Sequence, residues 1–172
     1  MDTNRFDAAA SFLASSARIL DRRRFDRLLG GPAGPVRDGV AAYVNADGGF
    51  GNALEPDCRA PGTQPGTIEV ALRMLHDADA WDESLVAGAC GWLESHAPDG
   101  GGAIFVDPSV EGWPHAPWWQ PQPGLPASLV AAGQIAGTLH ARGVVHPWLT
   151  EATAWLWSTI EGLTSAFGYE MR

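Results

Sequence analysis

The run ALEPDCRAPGTQP, residues 53–65, places Glu55, Asp57, Arg59 and Gln64 within a few positions of one another. That is more polar chemistry than a connection between helices requires. Two carboxyl groups this close can divide labour, because burial and a neighbouring negative charge hold one as the acid. Read this way, Asp57 is the proton donor and Glu55 its partner, with Arg59, Gln64 and Glu69 as substrate contacts. A structural reading of the same residues has Arg59 paired with Asp57 or Glu69, and carboxylates bonded to backbone amides, so that the loop holds its own shape.

A second loop, GWPHAPWWQPQPG, carries Trp113, Trp118 and Trp119 among prolines that keep it stiff. These indoles could form a wall that stacks on an apolar ligand, a sugar or a cation, or they could cover helix ends. His115 stands near enough to be considered as a proton shuttle or as surface decoration. Metal chemistry has little support. His140 and His146 straddle a turn, His76 precedes Asp77 and Asp79, and neither set has the ligand spacing of a zinc site. The run NADGGF lacks the fifth ligand and sixth-position glycine of a calcium loop. No metal and no cofactor are expected.

The elements that must position these residues read as helices. One apolar stripe runs from about Arg5 to Leu29 through Phe6, Ala10, Leu13, Ala17, Leu20 and Leu28. Pro35 opens a short second helix with Val36 and Val40 on one face. Thr67 is placed as N-cap of a third helix carrying Ile68, Ala71, Leu72 and Leu75, and Asp82 as N-cap of a fourth. Ser128 starts a fifth that Gly143 stops, and Pro147 starts a sixth. No segment alternates long enough to demand a strand, although AIFV could be briefly extended. The fold class is all-α, with about six helices and long Gly/Pro loops.

Aligning the loops exposes a repeat. GVAAYVNADGGFG contains Asp47, Gly48, Gly49, Phe50 and Gly51; ACGWLESHAPDGGGAIF contains Asp99, Gly100, Gly101 and Phe105. A fainter third copy ends at Phe167 and Gly168. The glycines allow a sharp turn, the aspartate can accept bonds from the turn's own amides, and the phenylalanine plugs the chain back onto its hairpin. A period a little over fifty residues suits a helical hairpin plus its loop.

Helix, DGGFG, then a helix carrying EVALRML resembles the repeat of protein prenyltransferase β subunits and squalene–hopene-type terpene cyclases. The resemblance covers most of the chain from Val36 onward. It implies an α/α toroid around an aromatic-lined cavity for a hydrophobic, isoprenoid ligand, with acid-initiated cyclisation if the domain is catalytic. The chain differs from those families in its site motifs. DADAWD does not reproduce the cyclases' Asp-x-Asp-Asp, and Asp57 beside Cys58 is not the prenyltransferases' zinc spacing.

Composition bounds the alternatives. The 172 residues form one domain, with about three hairpins where closed toroids use more, so a homodimer or a missing portion would complete the ring. The formal charge of −9 and the absence of lysine argue against nucleic acid, and Arg22, Arg23, Arg24 and Arg27 read as a solvated helix face. Two cysteines, no leader and no span long enough for a bilayer suggest a cytoplasmic protein with reduced thiols. Two further readings stay open: a non-catalytic repeat module that binds a partner, and a glycan-active toroid with paired carboxylates and tryptophan platforms.

Overall fold

The structure, a computed structural model, describes residues 3–165. Seven α-helices occur among them: α1 (Thr3–Ser16), α2 (Ile19–Leu28), α3 (Gly34–Ala41), α4 (Pro65–Asp77), α5 (Glu83–Ser95), α6 (Leu129–Ala141) and α7 (Pro147–Glu161). A 3-10 turn spans Pro108–Val110, and the described residues contain isolated β-bridges but no strand. The class is all-α, as the periodicities require. None of these helices is long and apolar enough to cross a membrane.

Most helix starts follow their capping chemistry. The Asp82 carboxylate accepts from the N–H groups of Ser84 and Leu85, Ser128 Oγ accepts from Ala131 N–H, and Pro147 occupies the first turn of α7. Two starts differ from expectation. The long first stripe is two helices, because Arg18 is extended (φ −60°, ψ 154°) and its guanidinium donates to the carbonyls of Ala53 and Leu54 at 3.2 and 3.0 Å. Helix α4 begins earlier than expected, with Gln64 as N-cap and Thr67 three residues inside. The Thr67 hydroxyl accepts from Gln64 N–H and donates to the Phe50 carbonyl.

The arginines of α2 are not a solvated face. Arg22, Arg23 and Arg27 are half-buried and donate to the carbonyls of Ala17, Pro35 and Ala78 respectively. They tie helix ends and turns together, which gives α2 its place against α3.

Helix α4 is the hub. Ile68, Val70, Ala71, Leu72, Met74 and Leu75 are all buried in it, against α3, α5 and α6. The hairpins α4–α5 and α6–α7 then stack in register, α4 on α6 and α5 on α7. A glycine-rich corner precedes each hairpin, the first between α3 and α4 and the second between α5 and α6. In the first, Asp47 Oδ1 accepts from Gly49 N–H at 3.0 Å, the expected Asx turn, and Gly48 takes φ +86°. A side chain on Gly48 would meet the backbone of Gly88 in α5 at 2.9 Å. In the second corner, Gly101 (φ +98°) lies less tightly against Glu151 and Trp155 of α7, an added Cβ standing 3.3 Å from the Glu151 carbonyl oxygen.

The register between the corners comes from one bond. The N–H of the N-cap residue of the next helix donates to the corner: Gln64 N to the Phe50 carbonyl at 3.2 Å, and Ser128 N to the Ala103 carbonyl at 2.7 Å. Phe50 is therefore matched by Ala103, and not by Phe105. Phe50 is fully buried, worth about 1.5–3 kcal/mol as transferred area. Phe105 is 37 % exposed, while Ala103 and Ile104 fill the corner. The third glycine, Gly102, shifts the matched position by one place, to four residues after Asp99 where Phe50 stands three after Asp47; Phe105 lies two places further on, and Asp99 is exposed instead of closing a turn like that of Asp47. The third copy at Phe167 and Gly168 lies outside the described residues.

Candidate functional site

Each corner is followed by a loop that returns to the next helix, and the two loops lie against each other. Arg59 N–H donates to the Pro114 carbonyl at 2.9 Å, and Ala116 N–H donates to the Asp57 carbonyl at 2.8 Å. The Gln64 side chain adds a third clasp: its Nε2 donates to Asp107 O and Ser109 Oγ, and its Oε1 accepts from Asp107 N–H at 2.8 Å. Gln64 is fully buried, so this sequence-predicted substrate contact is structural. Beneath the clasp a small second core of Cys58, Ala60, Val106, Val110 and Trp119 excludes water.

The paired loops and the first turns of α4 and α6 enclose a half-open cavity of about 440 Å³. The first loop contributes Glu55 and Asp57; the second contributes Phe105, Trp118 and Trp119. From α4 come Gly66, Glu69 and Val70, and from α6 Val130, Ala131 and Gln134. The sequence-predicted acids and two of the three tryptophans thus meet at one place, although about fifty residues separate the loops. Val70, Val130 and Gln134 were missed, and the only signal for the last two was their helical spacing at the start of α6. Phe105, expected as a plug, belongs to the cavity wall. Trp113 and Arg59 are exposed and lie outside the lining, as does His115, whose Nδ1 donates to the Trp113 carbonyl and whose Nε2 accepts from Gln120.

The three carboxylates have different surroundings. Asp57 accepts from both adjacent indoles, Trp118 Nε1 at Oδ2 and Trp119 Nε1 at Oδ1, each at 2.8 Å. These bonds, and not an arginine, hold the tryptophan loop down. Glu69 is paired with Arg73 one turn along α4 at 2.8 Å. Glu55 is half-buried, and its carboxyl group has no hydrogen-bond or ion-pair partner among the described residues. Burial pushes its carboxyl above the usual range, and the charges of Asp57 and Glu69 push it the same way, with Arg73 and Arg18 offsetting part of the rise. Of the two sequence-predicted acids, Glu55 has the surroundings that favour the protonated form, while Asp57 accepts from the indoles.

Searches of known protein families, curated proteins and solved structures find no significant match to this chain. Its chemistry has to be read from the cavity itself. Among the described residues no three His, Cys, Asp or Glu side chains converge closely enough to share a metal ion. Trp119 is fixed on its other side as well, since its ring edge lies over Gly66, where an added Cβ would stand 2.7 Å from Cη2. The site is a rigid aromatic and aliphatic pocket with one unpartnered carboxyl group on its wall.

Proposed function

We propose that this chain is a prenyltransferase/terpene-cyclase-type α/α-toroid domain that binds a hydrophobic, isoprenoid-class ligand in the cavity, with Glu55 as the acid. The observation that carries the reading is the unpartnered, half-buried Glu55 facing a pocket walled by Phe105, Trp118, Trp119, Val70 and Val130. A carboxylic acid so placed can deliver its proton to an alkene carbon. A C–H bond forms, the π bond breaks, and the resulting cation is stabilised by the indole faces and by the Asp57 and Glu69 carboxylates. Elimination returns the proton to Glu55.

A glycoside mechanism needs two free carboxyl groups across a groove. Here Asp57 is occupied by indoles and Glu69 by Arg73, which weighs against it. The partner-binding reading draws support from a different observation: Trp157, Ile160 and Leu163 on and just after α7 are exposed, as are Ile19, Leu28 and Leu29 around α2. On this reading a second copy covers those faces in a homodimer, and sedimentation velocity would report a monomer if it does not.

Farnesol in D2O tests the catalytic reading. Binding should quench tryptophan emission, and deuterium should appear at an alkene carbon with the native chain but not with Glu55→Gln. Binding without exchange rejects Glu55 as acid, and absence of binding rejects the ligand class.

A further inference from the structure

Resting on the reading of the cavity as a hydrophobic-ligand site, we propose that its ligand is an organic cation, a protonated amine on an apolar tail, and that the cavity rejects diphosphates. Charge on the wall is the first argument. Glu55, Asp57 and Glu69 line the cavity, and among the described residues no arginine does. The nearby guanidinium groups are committed elsewhere, Arg73 to Glu69 and Arg18 to Asp21 and two carbonyls. Diphosphate recognition relies on several cationic donors, and none is presented here.

The indoles supply the second argument. Both Nε1–H groups are donated to Asp57, so neither is left to bond a phosphate or hydroxyl oxygen. Donation to a carboxylate also enriches the rings in electrons, which strengthens their attraction for a cation over the face. The third argument is Glu55, an acceptor without a donor. An ammonium group placed between Glu55 and the indoles would meet its missing partner, while Val70, Val130 and Ala131 take the tail. The chain's formal charge of −9 favours the approach of such a ligand.

Three ligands that share one tail decide the matter: geranylamine, geraniol and geranyl diphosphate, titrated by calorimetry near neutral pH. The amine should bind at least about tenfold more tightly than the alcohol, and the diphosphate should not bind measurably. Glu55→Gln should cut the amine's advantage over the alcohol to below about threefold. Trp118→Leu, at an exposed position that the fold tolerates, should reduce the same ratio independently. Equal affinities for amine and alcohol overturn the charge selectivity but leave a hydrophobic-ligand site. Tightest binding of the diphosphate overturns the inference and favours conventional isoprenoid substrates. An unchanged ratio in both variants overturns the assignment to this wall, and no binding of any of the three rejects both this inference and the function it rests on.

Discussion

Replacing Asp57 with alanine takes the acceptor away from two indoles at once, and the cost can be apportioned in advance. The bond from Trp119 is the larger part: its ring is only 7 % exposed, its Nε1 lies 2.8 Å from the carboxylate, and no water replaces the lost partner easily. A hydrogen bond to a charged group in that setting is worth about 1.5–3 kcal/mol. Trp118 is 62 % exposed, so water takes over its N–H and the loss is about 0.5 kcal/mol. The sum is about 2–3.5 kcal/mol for Asp57→Ala. Asp57→Asn keeps one carbonyl oxygen but turns an NH2 toward an indole N–H, so it should fall about midway. Urea unfolding followed by circular dichroism gives the stabilities, and tryptophan emission reports the loop. Double-mutant cycles with Trp119→Phe and Trp118→Phe should give a coupling of at least about 1 kcal/mol for the first and much less for the second. Coupling below about 0.3 kcal/mol for Asp57 with Trp119, or unchanged stability in Asp57→Ala, would refute the clamp.

Four further outcomes follow from the same geometry. Phe50→Ala should cost about 3–5 kcal/mol, whereas Phe105→Ala should cost under about 1 kcal/mol and weaken ligand binding instead; urea midpoints and calorimetry separate the two. Gly66→Ala gains helix propensity of about 1 kcal/mol yet drives a methyl into Trp119, so emission should shift and ligand affinity fall without loss of global stability. The raised pKa of Glu55 means that the folded chain holds this proton more tightly than the unfolded one, so its contribution stands in full below the unfolded pKa and is lost as pH rises through the folded value. Glu55→Gln should therefore gain on the native chain as pH rises from about 4 to 7, and parallel stability–pH curves would contradict this. Burial raises the Cys58 thiol and pushes Cys90 up to about 11, so a thiol reagent at about pH 8 should modify neither until urea unfolds the chain.

Local chemistry made part of this legible in the sequence. The cap at Asp82, the Asx turn at Asp47 and the plug at Phe50 each depend on residues within a few positions, and each stands as read. The gathering of Glu55, Asp57 and Glu69 also follows from their spacing along one loop and the helix after it. What depended on distant partners was not legible. The break at Arg18 answers to carbonyls of Ala53 and Leu54, and the apolar stripe runs through it unmarked. Asp57 looks like a free acid until the indoles of Trp118 and Trp119 arrive from the next loop. Gln64 looks like a ligand contact until Asp107 and Ser109 consume it. The second corner was misaligned because DGGG offers two ways to count glycines, and only the Ser128 N–H to Ala103 bond chooses between them.

Two bonds of the seam between the loops join peptide groups, at Arg59 with Pro114 and at Ala116 with Asp57, and exchanging the side chains of the cavity wall leaves them in place. Trp118, Phe105 and Gln134 can then be rewritten freely while the frame beneath them keeps its dimensions. Such an arrangement lets one scaffold trade one guest molecule for another in single steps, and those three positions are where a library aimed at new ligands belongs.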